Sequence, residues 1–341
     1  AVREGHKPKL DFLGTVLSAT GLGLIVLGTL QSSVWGWIAP KNSPIEPFGF
    51  ALTPFVIGAG GLLIWFFVKW QRHREAVGSD PLVHLDLLKI LPLRAGLMGL
   101  VSQNLILMGV FFSIPLYLQL VLGFDALETG LKMLPVSITM FLAAAIGSKL
   151  SARYSIRTIV RTGLSTTFVG VVGLLTTVKP DLADGMFALS MAILGVGMGL
   201  IASQLGNVVQ SSVDASGRGE AGGLQFTGQQ LGSSLGVALV GAVVLTGLTS
   251  VFMTNVQEDP RISAEVSQQV SVSVESGLDF VDSAQIETAA TDAGLDAATT
   301  AALVDDYESA QLQALKTGLL VAAFLALGSL ATTRGLPSTV E

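Results

Sequence analysis

The sequence lacks cysteine and is poor in charge. With no cysteine among its 341 residues, it has no disulfide, no thiolate metal site and no thiol nucleophile. Only 13% of the residues are charged, whereas a soluble domain carries about 25%. Half of the residues are hydrophobic and the mean hydropathy is +0.65. This composition excludes an ordinary soluble domain and predicts an all-α integral membrane protein.

Groups that could perform catalysis are also scarce. The three histidines, His6, His73 and His84, fall in predicted loops, which argues against a buried metal site. Gly232 to Gly236 match the G-x-S-x-G string of a hydrolase nucleophile. That motif needs a strand–turn–helix, and no predicted span contains a histidine to act as base. We therefore predict no enzyme activity, no metal and no bound cofactor.

Eight apolar stretches are long enough to cross a bilayer, which takes about 20 residues. They alternate with polar or basic connections. The predicted spans are residues 12–38, 48–70, 95–122, 130–150, 158–178, 185–210, 225–253 and 313–333.

The basic residues are divided unequally between the two sides that these spans define. Only five of the 19 lysines and arginines fall on one side, namely Lys41, Lys132, Lys179, Arg261 and Lys316. Basic side chains resist translocation, so the richer side is predicted to be cytoplasmic. Both ends of the chain then lie in the cytoplasm of a multi-pass plasma-membrane protein.

The connection 254–312 is long and acidic. It holds 12 of the 25 acidic residues and a single basic residue, Arg261. The segment RISAEVSQQVSVSV alternates as a β-strand does, whereas the later part is rich in helix formers. By alternation the connection is extracytoplasmic. Two interpretations remain open, a folded cap over the outer mouth and a solvated, mobile linker.

Glycines recur at helical spacing inside the spans. Gly228, Gly232 and Gly236 advance about 400° at each step and so share one helix face. Gly195 and Gly199 form a similar pair in the sixth span. Small residues let helix backbones approach closely in a membrane. Together with Pro115 and Pro135, which interrupt spans, they suit helices that move against one another.

Amide side chains also occur inside the spans, where polar groups are costly. Hydrogen bonding between helices is one role for them, and favoured for any single residue. As a set with Met and Phe neighbours, they predict the wall of a polar, uncharged substrate cavity. The candidate lining residues are Gln103, Asn104, Met108, Phe111, Gln119, Gln204, Asn207 and Gln229.

Four stretches carry a family resemblance. They are PKLDFLGTVLSATGLGLIVLGTLQSSVWGW, the segment GVFFSIPLYLQLVLGFDALETGLKMLPVSITMFLAAAIGSKLSARYSIRTIVRTGL, the glycine-rich GMGLIASQLGNVVQSSVDASGRGEAGGLQFTGQQLGSSLGVALVGAV and the long loop before the final span. Their order resembles the C-terminal part of a fourteen-helix drug–proton antiporter (DHA2-type) of the major facilitator superfamily. The sequence begins with Ala1, and the resemblance implies that a first six-helix half is missing.

The resemblance divides the chain into parts. It implies a cytoplasmic lead-in, an extra transmembrane helix pair, a cytoplasmic linker, a six-helix transporter domain that includes the long loop, and a cytoplasmic tail. These parts are residues 1–11, 12–70, 71–94, 95–333 and 334–341.

It also implies a mechanism. Two six-helix halves would alternate access to a central cavity, and the proton gradient, rather than a cofactor, would drive efflux of small amphipathic or cationic compounds. Arg153 and Arg157 match the basic positions of the family's cytoplasmic motif, although Ser155 and Ala152 depart from it. No span carries a carboxylate near its middle, so the coupling group is expected in the missing half.

The implied partners are protons, the exported compound, membrane lipid and the missing half, and not nucleic acid. One alternative is a facilitator that exports an endogenous metabolite or lipid precursor. Another is a non-transporting membrane receptor or scaffold, with residues 254–312 as its binding module.

Overall fold

A computed structural model describes residues 11–79, 81–215, 217–274 and 278–338. All regular structure in these ranges is helical, and eight of the helices are long and apolar enough to cross a membrane. The ten α-helices are α1 Phe12–Trp35, α2 Thr53–Ala76, α3 Leu91–Leu116, α4 Ala126–Leu150, α5 Ile156–Thr177, α6 Asp184–Ser211, α7 Arg218–Glu258, α8 Ala264–Ser273, α9 Ser283–Asp292 and α10 Ala297–Ser329.

Each predicted span corresponds to one long helix, but the bounds differ. The largest differences are in α7, which has 41 residues, and α10, which has 33 and begins 16 residues before the predicted start at 313. At 1.5 Å per residue α7 is about 60 Å long, roughly twice the hydrocarbon thickness. Hydropathy marks only the part of a helix that meets lipid, so it missed these polar extensions.

Side-chain caps set several helix starts. The Asp125 carboxylate accepts the Glu128 N–H at 2.8 Å, and Glu128 accepts the Asp125 N–H in return, which forms a capping box at α4. Ser155 starts α5 and Asp296 starts α10 by accepting N–H groups of the first turn. These caps satisfy donors that have no partner inside a helix.

The six helices α3, α4, α5, α6, α7 and α10 form one bundle. α3 lies at its centre and packs against α6, α7 and α10, while α4 and α5 pack mainly on α6. The α1–α2 hairpin packs on this bundle through α1 and α7. The core is therefore built around α3 and α6, whose inward residues include the fully buried Ile106, Met191 and Leu194.

The end of α3 is irregular. Pro115 removes one backbone donor, and the chain then continues as a π-helical turn over Tyr117–Val121. The Tyr117 side chain is fully buried, and its hydroxyl lies 2.9 Å from the Thr177 carbonyl and 2.6 Å from the Lys179 carbonyl. This contact ties the end of α3 to the end of α5.

Contacts at the helix ends fall into two groups. At one end, which we call the basic end, Asp11 contacts Gln71 and Arg157 contacts the segment after α10. At the other, the acidic end, Lys132 pairs with Asp184 and residues 259–296 extend beyond the bundle. The helix ends are grouped as the alternation of basic residues predicts.

Residues 259–296, which we call the cap, connect α7 to α10. The prediction of β-strand character in RISAEVSQQVSVSV is wrong, because this stretch contains α8. Val266, Val270 and Val274 are four residues apart, so they share a face of the helix and its continuation that packs on the core, and Ser263 caps its first turn. The apparent alternation of serine and valine therefore conceals a four-residue repeat of valines, which is the spacing of one helix face.

The described part of the cap is folded onto the bundle rather than solvated. The buried Tyr307 hydroxyl of α10 contacts the Asp279 carbonyl at 3.0 Å and accepts the Val281 N–H at 2.9 Å. Gln311 donates to the Val281 carbonyl at 2.6 Å, and Thr249 of α7 accepts the Leu278 N–H at 3.1 Å. Three side chains of the long helices therefore hold the chain between α8 and α9.

Candidate functional site

Glycines of α7 pack directly against the backbone of α3, and we call this contact the α3–α7 seam. A methyl group on Gly232 would overlap the Val101 carbonyl oxygen, and one on Gly236 would overlap that of Leu105. Gly228 is less tightly packed, since a methyl there would lie 3.4 Å from Val101 Cγ2. The two tight positions follow from the four-residue spacing, which keeps glycine against α3 on successive turns.

A second seam joins α4 and α6. Added methyl groups on Gly195 and Gly199 would meet the carbonyl oxygens of Val136 and Met140. On the other face of α6, Gly197 contacts Thr167 and Gly163 of α5 in the same way. The backbone of α6 is therefore in direct contact with α4 on one face and with α5 on the other.

Two of the candidate amides lie within helix contacts. Gln204 is buried and donates to the Gly147 carbonyl of α4 at 2.8 Å. Gln103 is also buried and donates to the Met198 carbonyl of α6 at a longer 3.4 Å. Both bonds join helices, which is the packing role considered for single amides. Cavity lining by these two residues remains a prediction.

Asn104 and Ser233 meet across the α3–α7 seam, and Gln229 lies one turn before Ser233 on α7. Ser233 Oγ lies 3.5 Å from Asn104 Oδ1 and donates to the Gln229 carbonyl at 3.0 Å. All three side chains are half-buried. Sequence reasoning missed Ser233 because it considered this stretch only as a hydrolase motif, in which Ser234, not Ser233, occupies the nucleophile position. Its position one turn after Gln229 was the signal that could have found it.

The remaining candidates are spread along the bundle. Met108 and Phe111 are half-buried on α3, one and two turns beyond Asn104. Asn207 is exposed on α6 and donates to the Ser203 carbonyl of the same helix at 3.5 Å. Gln119 is exposed in the π-helical turn at the acidic end. The structure thus places Gln119 apart from the other amides.

One further polar contact lies between α6 and α7. Both helices pack on α3 but touch each other little. Near the basic end Gln210 of α6 donates to Gln225 Oε1 of α7 at 3.2 Å. Together with Asn104, Ser233 and Gln229, this pair presents neutral donors and acceptors. Such a surface can hydrogen-bond a ligand without requiring a charge on it.

Arg157 is engaged by its own chain. Its guanidinium donates to the Leu336 carbonyl at 2.8 and 3.0 Å and to the Arg334 carbonyl at 2.8 Å. Arg161 adds a bond to Thr333 at 2.9 Å. Arg153, by contrast, is exposed. A role for Arg153 and Arg157 at an interface with another half remains a prediction, but Arg157 also holds the C-terminal segment.

The start of α1 is anchored by one carboxylate. Asp11 is buried and accepts hydrogen bonds from Gly14 N–H, Trp70 Nε1 and Gln71 Nε2 at 2.7–2.9 Å. Burial raises the pKa of Asp11, but these bonds and the nearby Arg74 charge outweigh it and hold the pKa below 3.8. Gln71 in turn accepts the Leu82 N–H at 2.7 Å. The carboxylate therefore organises the basic end of the α1–α2 pair.

Replacing Asp11 by asparagine should destabilise the α1–α2 pair at neutral pH, because an anionic acceptor is lost. A lowered pKa contributes stability above the ordinary value, and this contribution disappears as the pH falls through the folded-state pKa. We expect the difference in apparent Tm between the two proteins to be largest near pH ~7 and to shrink below about pH 4. Thermal melts across this range check it. Asp214→Asn, an exposed carboxyl, should show no such difference.

No group of three His, Asp or Glu side chains in the described ranges could hold a metal ion. The described residues around the amides likewise show no pairing of an active-site nucleophile with a histidine base. His84, for example, lies at the basic end with its Nδ1 2.8 Å from Glu220.

Comparison with known proteins finds several curated relatives of this chain. A 27% identical relative is the tetracenomycin C resistance and export protein of Streptomyces glaucescens, matched over 81% of this chain and 49% of that protein. The multidrug efflux pump LfrA of Mycolicibacterium smegmatis is 26% identical over 96% of this chain and 59% of its own length. The probable actinorhodin transporter of Streptomyces coelicolor is 29% identical over 70% of this chain and 39% of its own length. The chain spans about half the length of the curated relatives it matches.

The family model named Major Facilitator Superfamily matches residues 11–237, which is about two thirds of the chain. The match runs from the start of α1 to the middle of α7 and includes both glycine seams. With an all-helical bundle and eight helices able to cross a membrane, the chain belongs to the major facilitator superfamily.

Proposed function

We propose that this chain is the C-terminal part of a proton-coupled exporter of small amphipathic or cationic compounds. The observation that carries the proposal is its likeness to proteins named for antibiotic export and multidrug efflux. Four sequence segments, quoted in the sequence analysis, resemble the C-terminal part of fourteen-helix antiporters, and this resemblance supports the assignment to a C-terminal part. The bundle of α3 to α7 with α10 would be one wall of a central cavity, and a further six-helix half would be the other.

Substrate binding is assigned to the neutral groups along α3 and α7. Ser233 meets Asn104 across the α3–α7 contact, Gln229 lies one turn before Ser233, and Met108 and Phe111 follow on α3. Amides offer both donors and acceptors, while methionine adapts its shape to different apolar ligands. Such a surface suits compounds that share amphipathic character rather than one fixed pattern of polar groups.

Proton coupling is assigned to the part of the transporter outside this chain. A proton carrier needs a carboxyl group whose pKa is raised by burial in the membrane. The sequence places no aspartate or glutamate near the middle of a predicted span. We further propose that the basic end faces the cytoplasm of the cell membrane, because basic residues are retained on that side.

Single alanine substitutions at Asn104 and Gln229 test the cavity assignment. Loss of one neutral hydrogen bond costs about 0.5–1.5 kcal/mol, so half-maximal export of a bound compound should shift by roughly two- to tenfold. The shift should differ between compounds, since each uses the amides differently. The measurement is export from cells lacking other pumps, in the full-length protein, with Gln285→Ala on α9 as an exposed amide control.

A panel of substrates also decides between two export functions. Two of the relatives are named for single antibiotics and one for multiple drugs, so both a dedicated metabolite exporter and a multidrug pump have support. Proton flux stimulated by many unrelated cations would favour the pump. Flux stimulated by one compound class would favour the metabolite exporter, and no substrate-dependent flux would reject the proposed function.

A further inference from the structure

The cap forms one side of a half-open cavity, separate from the candidate amides of α3, α6 and α7. It has a volume of about 210 Å³ and lies between α8, α9 and the outer ends of α7 and α10. Phe252 and Leu303, each 3% exposed, come from the long helices. The cap contributes the remaining apolar wall. The lining includes Val266, Val270, Val274, Leu278, Ile286 and Ala290.

This cavity lies outside the hydrocarbon of a bilayer. Phe252 follows Arg218 by about 51 Å of α-helix at 1.5 Å per residue. A bilayer is about 40–45 Å thick including its headgroups. If Arg218 lies at one membrane surface, Phe252 is near or beyond the other. A lipid tail would have to leave the bilayer to reach the cavity, so a dissolved small molecule is the better occupant.

The chemistry of the lining selects the ligand. Water needs two to four polar partners in a buried site, and the lining offers polar side chains only from Gln269 and Ser273, both exposed. A dry apolar cavity of ~150 Å³ holds one benzene ring. The Phe252 ring packs edge-on against Tyr307, with centroids 5.7 Å apart, and can extend this aromatic packing to a ligand.

We propose that the cap cavity binds a compound of one or two aromatic rings that carries a single neutral polar group. The rings would lie against Phe252 and the valines, and the polar group would face Gln269 and Ser273. This accessory site goes beyond the proposed export function, because binding there requires neither transport nor the other half of a transporter. It gives the folded cap a role in recognition.

The absence of cysteine provides a direct test with 2-naphthol as the probe. Ala293→Cys places a single thiol on the lining, directly after the end of α9, and Thr288→Cys places one at an exposed position of α9 outside the lining. In the detergent-solubilised full chain, 2-naphthol at about ten times its Kd should slow maleimide labelling of Cys at 293 about tenfold. Labelling at 288 should not change.

A cavity-filling variant identifies where the probe binds. Ala290, 6% exposed, lines the cavity, so Ala290→Phe in the Ala293→Cys background should abolish the protection. Ala290→Leu decides the matter if the larger side chain prevents folding. The inference is overturned if 2-naphthol gives no protection at 293, if it slows labelling at 288 equally, or if protection survives in a folded filled variant. None of these results depends on export activity.

Discussion

Replacing Gly232 by alanine is expected to separate α3 from α7 and to lower the stability of the bundle. The new methyl group would overlap the Val101 carbonyl oxygen, which belongs to the backbone and cannot rotate away. Overpacking of this kind costs about 1–3 kcal/mol. Alanine regains roughly 1 kcal/mol of helix propensity, so the net loss should be smaller than the overlap alone suggests. Gly236→Ala should behave in the same way, because it faces the Leu105 carbonyl.

Gly223→Ala is the matched control. It lies in the same helix, is exposed and has no atom within 4 Å of the added methyl group. This variant should keep or slightly raise the apparent Tm, because only the propensity gain remains. The measurement is thermal unfolding of the purified protein together with the yield of folded material. Equal melting of Gly232→Ala and Gly223→Ala would show that the seam tolerates a methyl group.

The second large effect is expected at Arg157. Its alanine variant loses three hydrogen bonds to the carbonyls of Arg334 and Leu336 at once. Bonds from a charged donor are stronger than neutral ones, but the site is partly exposed, so we expect a net loss of about 1–2 kcal/mol. The C-terminal segment should then detach from α5 and become sensitive to protease while the bundle stays folded.

Arg153→Ala provides the comparison for Arg157, since it removes an equal charge from an exposed position three residues before α5 begins at Ile156. Limited proteolysis followed by mass spectrometry would report cleavage near residue 336. Arg157→Lys should restore little protection, because an ammonium cannot reproduce the planar fork that contacts two carbonyls. If both alanine variants are cleaved at the wild-type rate, the segment does not depend on Arg157.

The sequence by itself determined the class of the protein. Low charge and eight apolar stretches require helices in a membrane, because only helices and closed barrels satisfy every backbone group in lipid. Spacing alone also placed Gly228, Gly232 and Gly236 on one face, since the helical repeat is fixed by local geometry. The alternation of basic residues likewise predicted which helix ends lie at the same end of the bundle.

Tertiary structure decided how far each helix runs and which groups meet. Hydropathy could not extend α7 to Glu258 or begin α10 at Ala297, because those turns are stabilised by packing against the cap. The alternating serines and valines before residue 275 have two periodic readings, and burial of Val266 and Val270 selected the helix. Local composition cannot choose between such readings.

The hydrogen-bond partners of polar side chains could not be predicted from the sequence either. Gln204 meets a carbonyl 57 residues away, and Arg157 meets one 179 residues away. An amide has the same donors and acceptors whether it joins two helices or faces a cavity. Only the packing of α4 on α6 buries Gln204, and only the path of the chain after α10 brings Leu336 to Arg157, because these contacts depend on the relative positions of whole helices.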